Sequence, residues 1–333
     1  MERFAEAYTF LSAFSNTDSR HFVKDLMKKN YAGAVLGHHP VPEQLNRNEV
    51  EKKCSVFVDR IFEEINALAD PRDLFPLFNR LSRNSKEGQD IWFDEFLEAY
   101  ENYKHRRKLE NRYQQLRPFI YGPSYCDVGC GGGDLVAYMK EHHPGVEEAA
   151  GIDVLDWRSH TVKDIIDFQM LDLTRPRATS SKAYDTVTCL AVLHHIDNQK
   201  GELEYFLHNL KSAIKPDGRL VVEEDVILPE EEINSSQTIK DKIDQKRIRQ
   251  PIFDRFLQFD MQTQRDIITL IDFLSNSILV GVPDMSFPCN FQTLDGWRVL
   301  FEDKGFTIDE IKVEGFVPHR FNQSSHVIFV LRK

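Results

Sequence analysis

A chain of 333 residues, 41% hydrophobic and 29% charged, carries enough apolar side chain for a sizeable core with an appendage. Its formal net charge of −11 argues against extensive contact with a phosphate backbone, and no apolar run reaches the ~18 residues needed to cross a bilayer. Five scattered cysteines (Cys54, Cys126, Cys130, Cys189, Cys289) show neither zinc spacing nor a disulfide pattern, and Met1-Glu2-Arg3-Phe4 is no basic-then-apolar leader, so a cytoplasmic protein with reduced thiols is expected.

Residues 1 to about 118 read as helical. Phe4, Tyr8, Phe10-Leu11 and Phe14 recur at helical spacing, as do Phe57, Ile61, Ile65 and Leu68. Asp70-Pro71 and the polar run Ser82 to Gln89 are breaks, and a further helix is expected from Ile91 to Gln115. Such stripes build helix–helix core. Beyond packing, this layer is expected to cover a substrate pocket or to form a homodimer contact. Lys104, Arg106, Arg107, Lys108, Arg112 and Arg117 stand against Glu110 alone, a run read as the solvated face of a helix rather than a polynucleotide patch.

From about 119 strand and helix patterns alternate, which predicts a parallel sheet with helices on both faces. Strand one, Ser124 to Val128, enters Gly129-Cys130-Gly131-Gly132-Gly133, and a helix follows from Asp134 to about His142. Glycines there let the backbone approach a nucleotide-like ligand at a helix N-terminus. The dinucleotide pattern would need glycine at 134, where Asp134 stands. Asp127 would also repel a pyrophosphate, whereas a carboxylate suits the ammonium of an amino acid. His142-His143-Pro144-Gly145 reads as a helix stop.

Strand two, Ala149 to Asp153, ends in an acid placed to accept from both ribose hydroxyls. Strand three, Phe168 to Leu171, precedes Asp172-Leu173, and strand four runs from Tyr184 through Leu190 to His194-His195-Ile196. Lys215-Pro216-Asp217-Gly218 is expected as a turn into strand five, which ends in Glu223-Glu224-Asp225 with Glu224 facing away from its neighbours. Residues 226 to 290 carry a helical pattern from about Ile239 to Leu279. Pro283 and Phe287 to Phe291 read as irregular. Thr293 caps a helix, Leu294 to Lys304, closed by Gly305. Strands six and seven, Phe306 to Val313 and His326 to Leu331, are joined through Pro318-His319-Arg320.

Acid-x-Gly-x-Gly-x-Gly after a strand, then Asp153, Asp172, the Leu-His-His-Ile ending and the Pro-Asp-Gly segment, resembles the class I S-adenosylmethionine-dependent methyltransferases over roughly 119 to 225. The His-His ending is similar to that of their small-molecule and quinone-modifying branches. The resemblance implies an α/β, Rossmann-like, seven-stranded, mostly parallel sheet of order 3-2-1-4-5-7-6. It divides the chain into a helical region, 1–118, and a methyltransferase domain, 119–333, with 226–290 as a lid above the carboxyl ends of the strands. It also implies S-adenosyl-L-methionine as cofactor (S-adenosyl-L-homocysteine as product), held by Asp127, Gly129, Cys130, Gly131, Asp153, Val154, Asp172, Leu173 and Leu190, with Asp172 beside the adenine.

Methyl transfer requires the acceptor in line with the methyl carbon at about 3 Å, plus a general base when the acceptor is protonated. His195, His194 and Glu224 project from the ends of strands four and five and are the catalytic candidates. His319, Arg320 and His326 either close the pocket or are structural. No Asp-x-x-Asp-Asn cluster of a magnesium-dependent catechol-type enzyme occurs, so no metal is expected. The expected function is methyl transfer to a small molecule. Two alternatives stay open: an RNA or protein methyltransferase, suggested by the basic run around Arg106, and a non-catalytic cofactor-binding subunit or sensor.

Overall fold

The computed structural model describes residues 2–36, 46–91, 109–197, 201–282, 285, 287–316 and 325–333. Its helices are α1 (Glu2–Ser15), α2 (Thr17–Leu36), α3 (Arg47–Asn66), α4 (Leu74–Leu81), α5 (Lys86–Ile91), α6 (Leu109–Leu116) and α7 (Asp134–His142). They continue as α8 (His160–Lys163), α9 (Glu202–Leu210), α10 (Glu230–Ser235), α11 (Gln237–Arg249), α12 (Ile252–Leu257), α13 (Met261–Leu274) and α14 (Leu294–Asp303). The strands are β1 (Ser124–Val128), β2 (Glu148–Asp153), β3 (Asp167–Met170), β4 (Tyr184–Leu190), β5 (Ile214–Ile227), β6 (Gln292–Thr293), β7 (Thr307–Gly315) and β8 (Ser325–Arg332). Among the described residues no helix is long and apolar enough to cross a membrane.

The chain divides into two compact units. The first groups α1 to α5 with Pro229–Cys289. Its core is aromatic: the Phe10 ring lies 5.3 to 5.8 Å from those of Phe14, Phe78 and Phe273 and 5.0 Å from Phe287. The stripe expected in α1 is corrected at its start. Phe4 and Tyr8 are exposed, and the buried face is Ala7, Phe10 and Phe14, one position round the helix from the aromatic series. Phe57, Ile61 and Ile65 of α3 are buried as expected. The helical pattern after β5 resolves into α11, α12 and α13, interrupted where Pro251 opens α12 and where the Asp260 carboxylate accepts from Thr263 N to cap α13. Most of the helix expected from Ile91 to Gln115, with Lys104 to Lys108, lies outside the described residues, as do Pro283 and Pro318-His319-Arg320.

The second unit spans the described part of Lys104–Leu228, with Asn290–Glu314 and His326–Lys333. Its sheet runs β3-β2-β1-β4-β5-β8-β7, and β6 pairs with β5 beside that path. Strands β1 to β5 are parallel, with Val128 opposite Ile152 and Cys189. His326 at the start of β8 meets Asp225 near the end of β5, whereas Lys333 just past β8 reaches the carbonyl of Ile214 where β5 begins. Strand β8 therefore runs antiparallel to β5. Arg332 bonds Asp309, so β7 and β8 are antiparallel too. This is the expected order with β6 added, a strand of two residues that is too short to leave a periodic signal.

The turn expected at Lys215–Gly218 is a bulge within β5. Tyr184 pairs with Ile214 and Thr186 with Arg219, so residues 215 to 218 bow out of register. Pro216 has no N–H to give the ladder, and a side chain at Gly218 would sit 2.8 Å from the Tyr184 carbonyl. On one face of the sheet α6 and α7 bury Tyr113, Leu116, Val136 and Met139 against Tyr125, Val221 and Ile328. Truncating a fully buried side chain such as Leu116 to alanine costs about 2–5 kcal/mol.

Candidate active site

Strand β1 ends at Val128, and the chain turns on Gly129, φ +77°, whose N–H donates to the Ile152 carbonyl at 2.8 Å. A Cβ at Gly129 would lie 2.4 Å from Val192 Cγ2, so the glycine loop abuts the segment leaving β4. Gly131, φ +54°, faces open space: nothing stands within 4 Å of a Cβ built there. Its N–H donates to Asp153 Oδ2 at 2.8 Å, and Leu155 N donates to Asp153 Oδ1 at 3.3 Å. The acid closing β2 thus braces the loop from the neighbouring strand. Burial raises the Asp153 pKa above the usual carboxylate range against these backbone bonds.

Asp127, in β1 just before the loop, is buried on the face shared with Tyr125. Its Oδ1 accepts from Thr188 Oγ1 at 2.6 Å, and that hydroxyl lies 2.8 Å from Tyr125 Oη. Burial pushes the Asp127 pKa up to about 7; the Thr188 bond and the Arg112 guanidinium oppose the rise and Asp153 adds to it. A cation placed against this carboxyl would favour its ionised form and bring that pKa down.

The other expected cofactor residues differ in what they offer. Cys130 directs its sulfur toward Gly151 of β2, leaving its backbone to the loop. Val154 is exposed just past β2. Leu190 is partly buried against the α6–α7 core, and Leu173 is fully inside. Asp172 accepts from Thr174 N at 3.0 Å, Thr174 Oγ1 at 2.5 Å and Arg175 Nε at 2.9 Å. Burial raises its pKa but these partners outweigh it and hold the group low.

Past β4 the backbone bends at Ala191, φ +56°, a conformation costly for a residue with a Cβ. Two bonds hold the bend. Ala191 N donates to the Glu223 carbonyl at 2.7 Å, and Glu224, wholly buried, accepts from Val192 N at 3.1 Å and Leu193 N at 2.7 Å. The second Glu224 oxygen is 2.6 Å from His194 Nδ1. His194 is buried and stacked on Phe291 with ring centroids 4.6 Å apart, and its backbone carbonyl accepts from Asn290 N. A proton on Nδ1 facing the carboxylate makes Nε2 the basic nitrogen. The His195 ring lies 4.1 Å from that of His194 and is half-buried. Burial, then the neighbouring imidazole, lowers the His195 pKa well below its ordinary value, so it is neutral at pH 7.

Glu223 and Asp225 point to the opposite face of β5, as alternation requires. Glu223 pairs with Arg112 of α6, and His326 Nδ1 lies 3.3 Å from Glu223 and 3.1 Å from Asp225. Arg112 is therefore an internal ion-pair partner, which corrects its reading as part of a solvated face. His326 is likewise internal. Sequence reasoning missed both partnerships because α6 and β8 lie far from β5 in the chain.

Residues 96–311 match the family model described as a methyltransferase domain. The chain belongs to the class I S-adenosylmethionine-dependent methyltransferase family. This methyltransferase-family chain is 28% identical over 130 residues to the ubiquinone biosynthesis O-methyltransferase of Rickettsia conorii, covering 38% of this chain and 43% of that protein. It is 32% identical over 101 residues to the Rickettsia typhi protein of the same name, covering 29% and 38%. The match thus spans about two fifths of these curated relatives. The solved structure of the mitomycin 7-O-methyltransferase MmcR aligns over 86% of this chain and 71% of its own, with TM-score 0.46 and 15% identity.

The loop fits the family's cofactor. The open space at Gly131 is where a bound nucleoside would approach the backbone, and a Cβ would intrude there. Asp153 accepts from Gly131 N of the loop and from Leu155 N just past β2, and a carboxylate with about four acceptor sites has room for a further donor.

Proposed function

We propose that this protein transfers a methyl group from S-adenosylmethionine to a hydroxyl of a small molecule. The observation that carries the reading is the turn Val192–His195, held by Glu224 and packed directly against the glycine loop. The residue that leads into His194-His195, Val192, thereby stands against Gly129 of the loop, which supports a proton acceptor near a cofactor held there.

When bound, the cofactor supplies an electrophilic methyl carbon on a sulfonium. Asp127 holds the ammonium of the amino-acid end and Asp153 the ribose hydroxyls. Val154 and Leu190 offer apolar surface along the nucleoside, and the backbone of Gly129, Cys130 and Gly131 sets the floor. His195 takes the proton from the acceptor hydroxyl, since it is neutral and half-buried at the end of β4. His194 and Glu224 fix the backbone that carries it. The names of the Rickettsia relatives, both O-methyltransferases of ubiquinone biosynthesis, support a hydroxyl acceptor of small size. Arg112, from the basic run that suggested a polynucleotide, is engaged by Glu223 and largely buried, which favours the small-molecule reading.

The test is methyl transfer from labelled S-adenosylmethionine to a panel of phenols and hydroxylated metabolites, followed by mass spectrometry. An ether product is expected from wild type. His195→Ala should lose about 10²–10⁴-fold in turnover with cofactor affinity retained, the range spanned by general-base catalysis. Transfer at the wild-type rate by His195→Ala would remove the base. Methylation of nitrogen or carbon acceptors alone would overturn the hydroxyl assignment.

A further inference from the structure

Asp127 stands at the end of a chain of two hydroxyls. Register brings the three residues together. Asp127 of β1 pairs with Thr188 of β4, and Tyr125 precedes Asp127 by two positions, so the three side chains share one face of the sheet. Tyr125 and Thr188 are wholly buried and Asp127 is 5% exposed. Thr188 Oγ1 lies 2.6 Å from Asp127 Oδ1 and 2.8 Å from Tyr125 Oη, with the Cys126 carbonyl further off at 3.4 Å. Among the described residues no other group hydrogen-bonds the Asp127 carboxyl or the Tyr125 hydroxyl.

Donor counting sets the direction of the chain. A hydroxyl has one proton to give, and an ionised carboxylate only accepts. With Asp127 ionised, Thr188 therefore donates to Asp127 Oδ1, and Tyr125 donates to Thr188 Oγ1, each bond polarising the next. We propose that Thr188, backed by Tyr125, is a positioning residue that aims the Asp127 carboxylate at the cofactor's ammonium; this rests on the methyltransferase reading above. Tying Oδ1 to Thr188 fixes the turn of the carboxyl group and leaves Oδ2 to the ligand. The same bond favours the charged form, against the burial that raises the Asp127 pKa. The other charged or titratable groups acting on Asp127 are Cys126 of its own strand, Cys130 of the loop, Asp153 of β2, Cys189 of β4 and Arg112 of α6. None of these side chains hydrogen-bonds the carboxyl, so the hydroxyl chain gives it its direction. Strand pairing does not call for the chain, because the β1–β4 ladder already joins the two strands and valine would fill the place of Thr188.

The test compares Thr188→Val, Thr188→Ser and Tyr125→Phe with wild type in the full chain, by calorimetry with three ligands. S-adenosylmethionine carries the ammonium and the carboxylate, its decarboxylated analogue keeps only the ammonium, and 5′-methylthioadenosine keeps the nucleoside without either. Thr188→Val should weaken the first two alike by about 10- to 100-fold, the range for a hydrogen bond to a charged group, and leave methylthioadenosine unchanged. Thr188→Ser should bind all three within about threefold of wild type. Tyr125→Phe, which removes only the second hydroxyl, should weaken the two ammonium ligands by about three- to tenfold. In ligand-free protein, ¹³C carboxyl NMR of Asp127, assigned by its loss in Asp127→Asn, should show the midpoint raised in Thr188→Val and returned in Thr188→Ser. Wild-type affinity for the ammonium ligands in both Thr188→Val and Tyr125→Phe overturns the proposal. So does an equal loss for methylthioadenosine, which would mean a general disturbance of the site, or a serine variant as weak as the valine one. If wild type binds none of the three ligands, the cofactor reading fails, while the NMR midpoint still decides whether Thr188 holds the Asp127 charge.

Discussion

Two segments meet beneath the candidate site, and they reach their shapes by opposite means. The loop after β1 is shaped by residues that lack side chains: Gly129 and Gly131 turn at positive φ without a Cβ to pay for it. The turn after β4 contains no glycine. Ala191 takes up a comparable φ, and the fully buried Glu224 compensates by binding two backbone N–H groups and an imidazole. Conformational freedom leaves open space for a ligand at Gly131, whereas a buried carboxylate removes freedom from residues expected to move a proton. Binding needs room and proton transfer needs fixed geometry.

The comparison breaks first at Glu224. Glu224→Ala leaves three donors without their buried acceptor and should cost about 3–5 kcal/mol in chemical denaturation, whereas Glu224→Gln keeps an acceptor oxygen and should cost about 1–2 kcal/mol. Equal losses would mean that the clamp is packing alone. Asp127→Asn should act in the other direction. With a folded pKa near 7, above the ordinary value near 4, Asp127 binds its proton more readily in the folded chain. Its contribution to stability is intact below about pH 4 and is lost as pH rises through 7. The asparagine variant should therefore melt close to wild type at pH 4 and be more stable at pH 8, by up to about 4 kcal/mol, while losing cofactor affinity. A stability difference independent of pH would show that Asp127 is not titrating.

Gly129→Ala comes next: left-handed φ and contact with Val192 should destabilise by about 1–3 kcal/mol in thermal melts, with cofactor binding damaged as a consequence. Gly131→Ala sharpens the contrast. It meets no neighbour, so about 1 kcal/mol of backbone strain is the whole stability effect. Calorimetry should nevertheless show at least about tenfold weaker cofactor binding, equivalent to 1.4 kcal/mol. If Gly131→Ala binds as wild type does, the ligand does not approach that backbone.

The same contrast explains what could be read from the sequence. Asp127, the glycines and Asp153 are legible because strand, loop and helix fix their relations over a short span of chain, and β1 to β5 followed from the alternating pattern. The clamp was half visible. Alternation set Glu224 opposite Glu223 and Asp225, but not that it would bind Val192, Leu193 and His194 from a separate strand. Arg112 looked like a surface residue because its partner Glu223 is more than a hundred positions away. Strand β6 is too short for periodicity, and Lys215–Gly218 carries turn residues yet bulges within a strand, because pairing on either side continues through it. Tyr8 looked like core because an aromatic at helical spacing suggests burial, but Ala7 occupies the packed side of α1.

The position of β8 bears on how the protein assembles. It lies between β5 and β7, and in the chain everything from α10 to β7 is made between β5 and its neighbour. Until β8 docks, β5 presents backbone donors and acceptors beside apolar Val221 and Val222, an edge that invites pairing with another chain. Closing so long a connection costs entropy before any hydrogen bond returns it, which makes this a late and slow step of folding. The unit that carries the sheet is therefore exposed to aggregation for as long as β5 waits for β8.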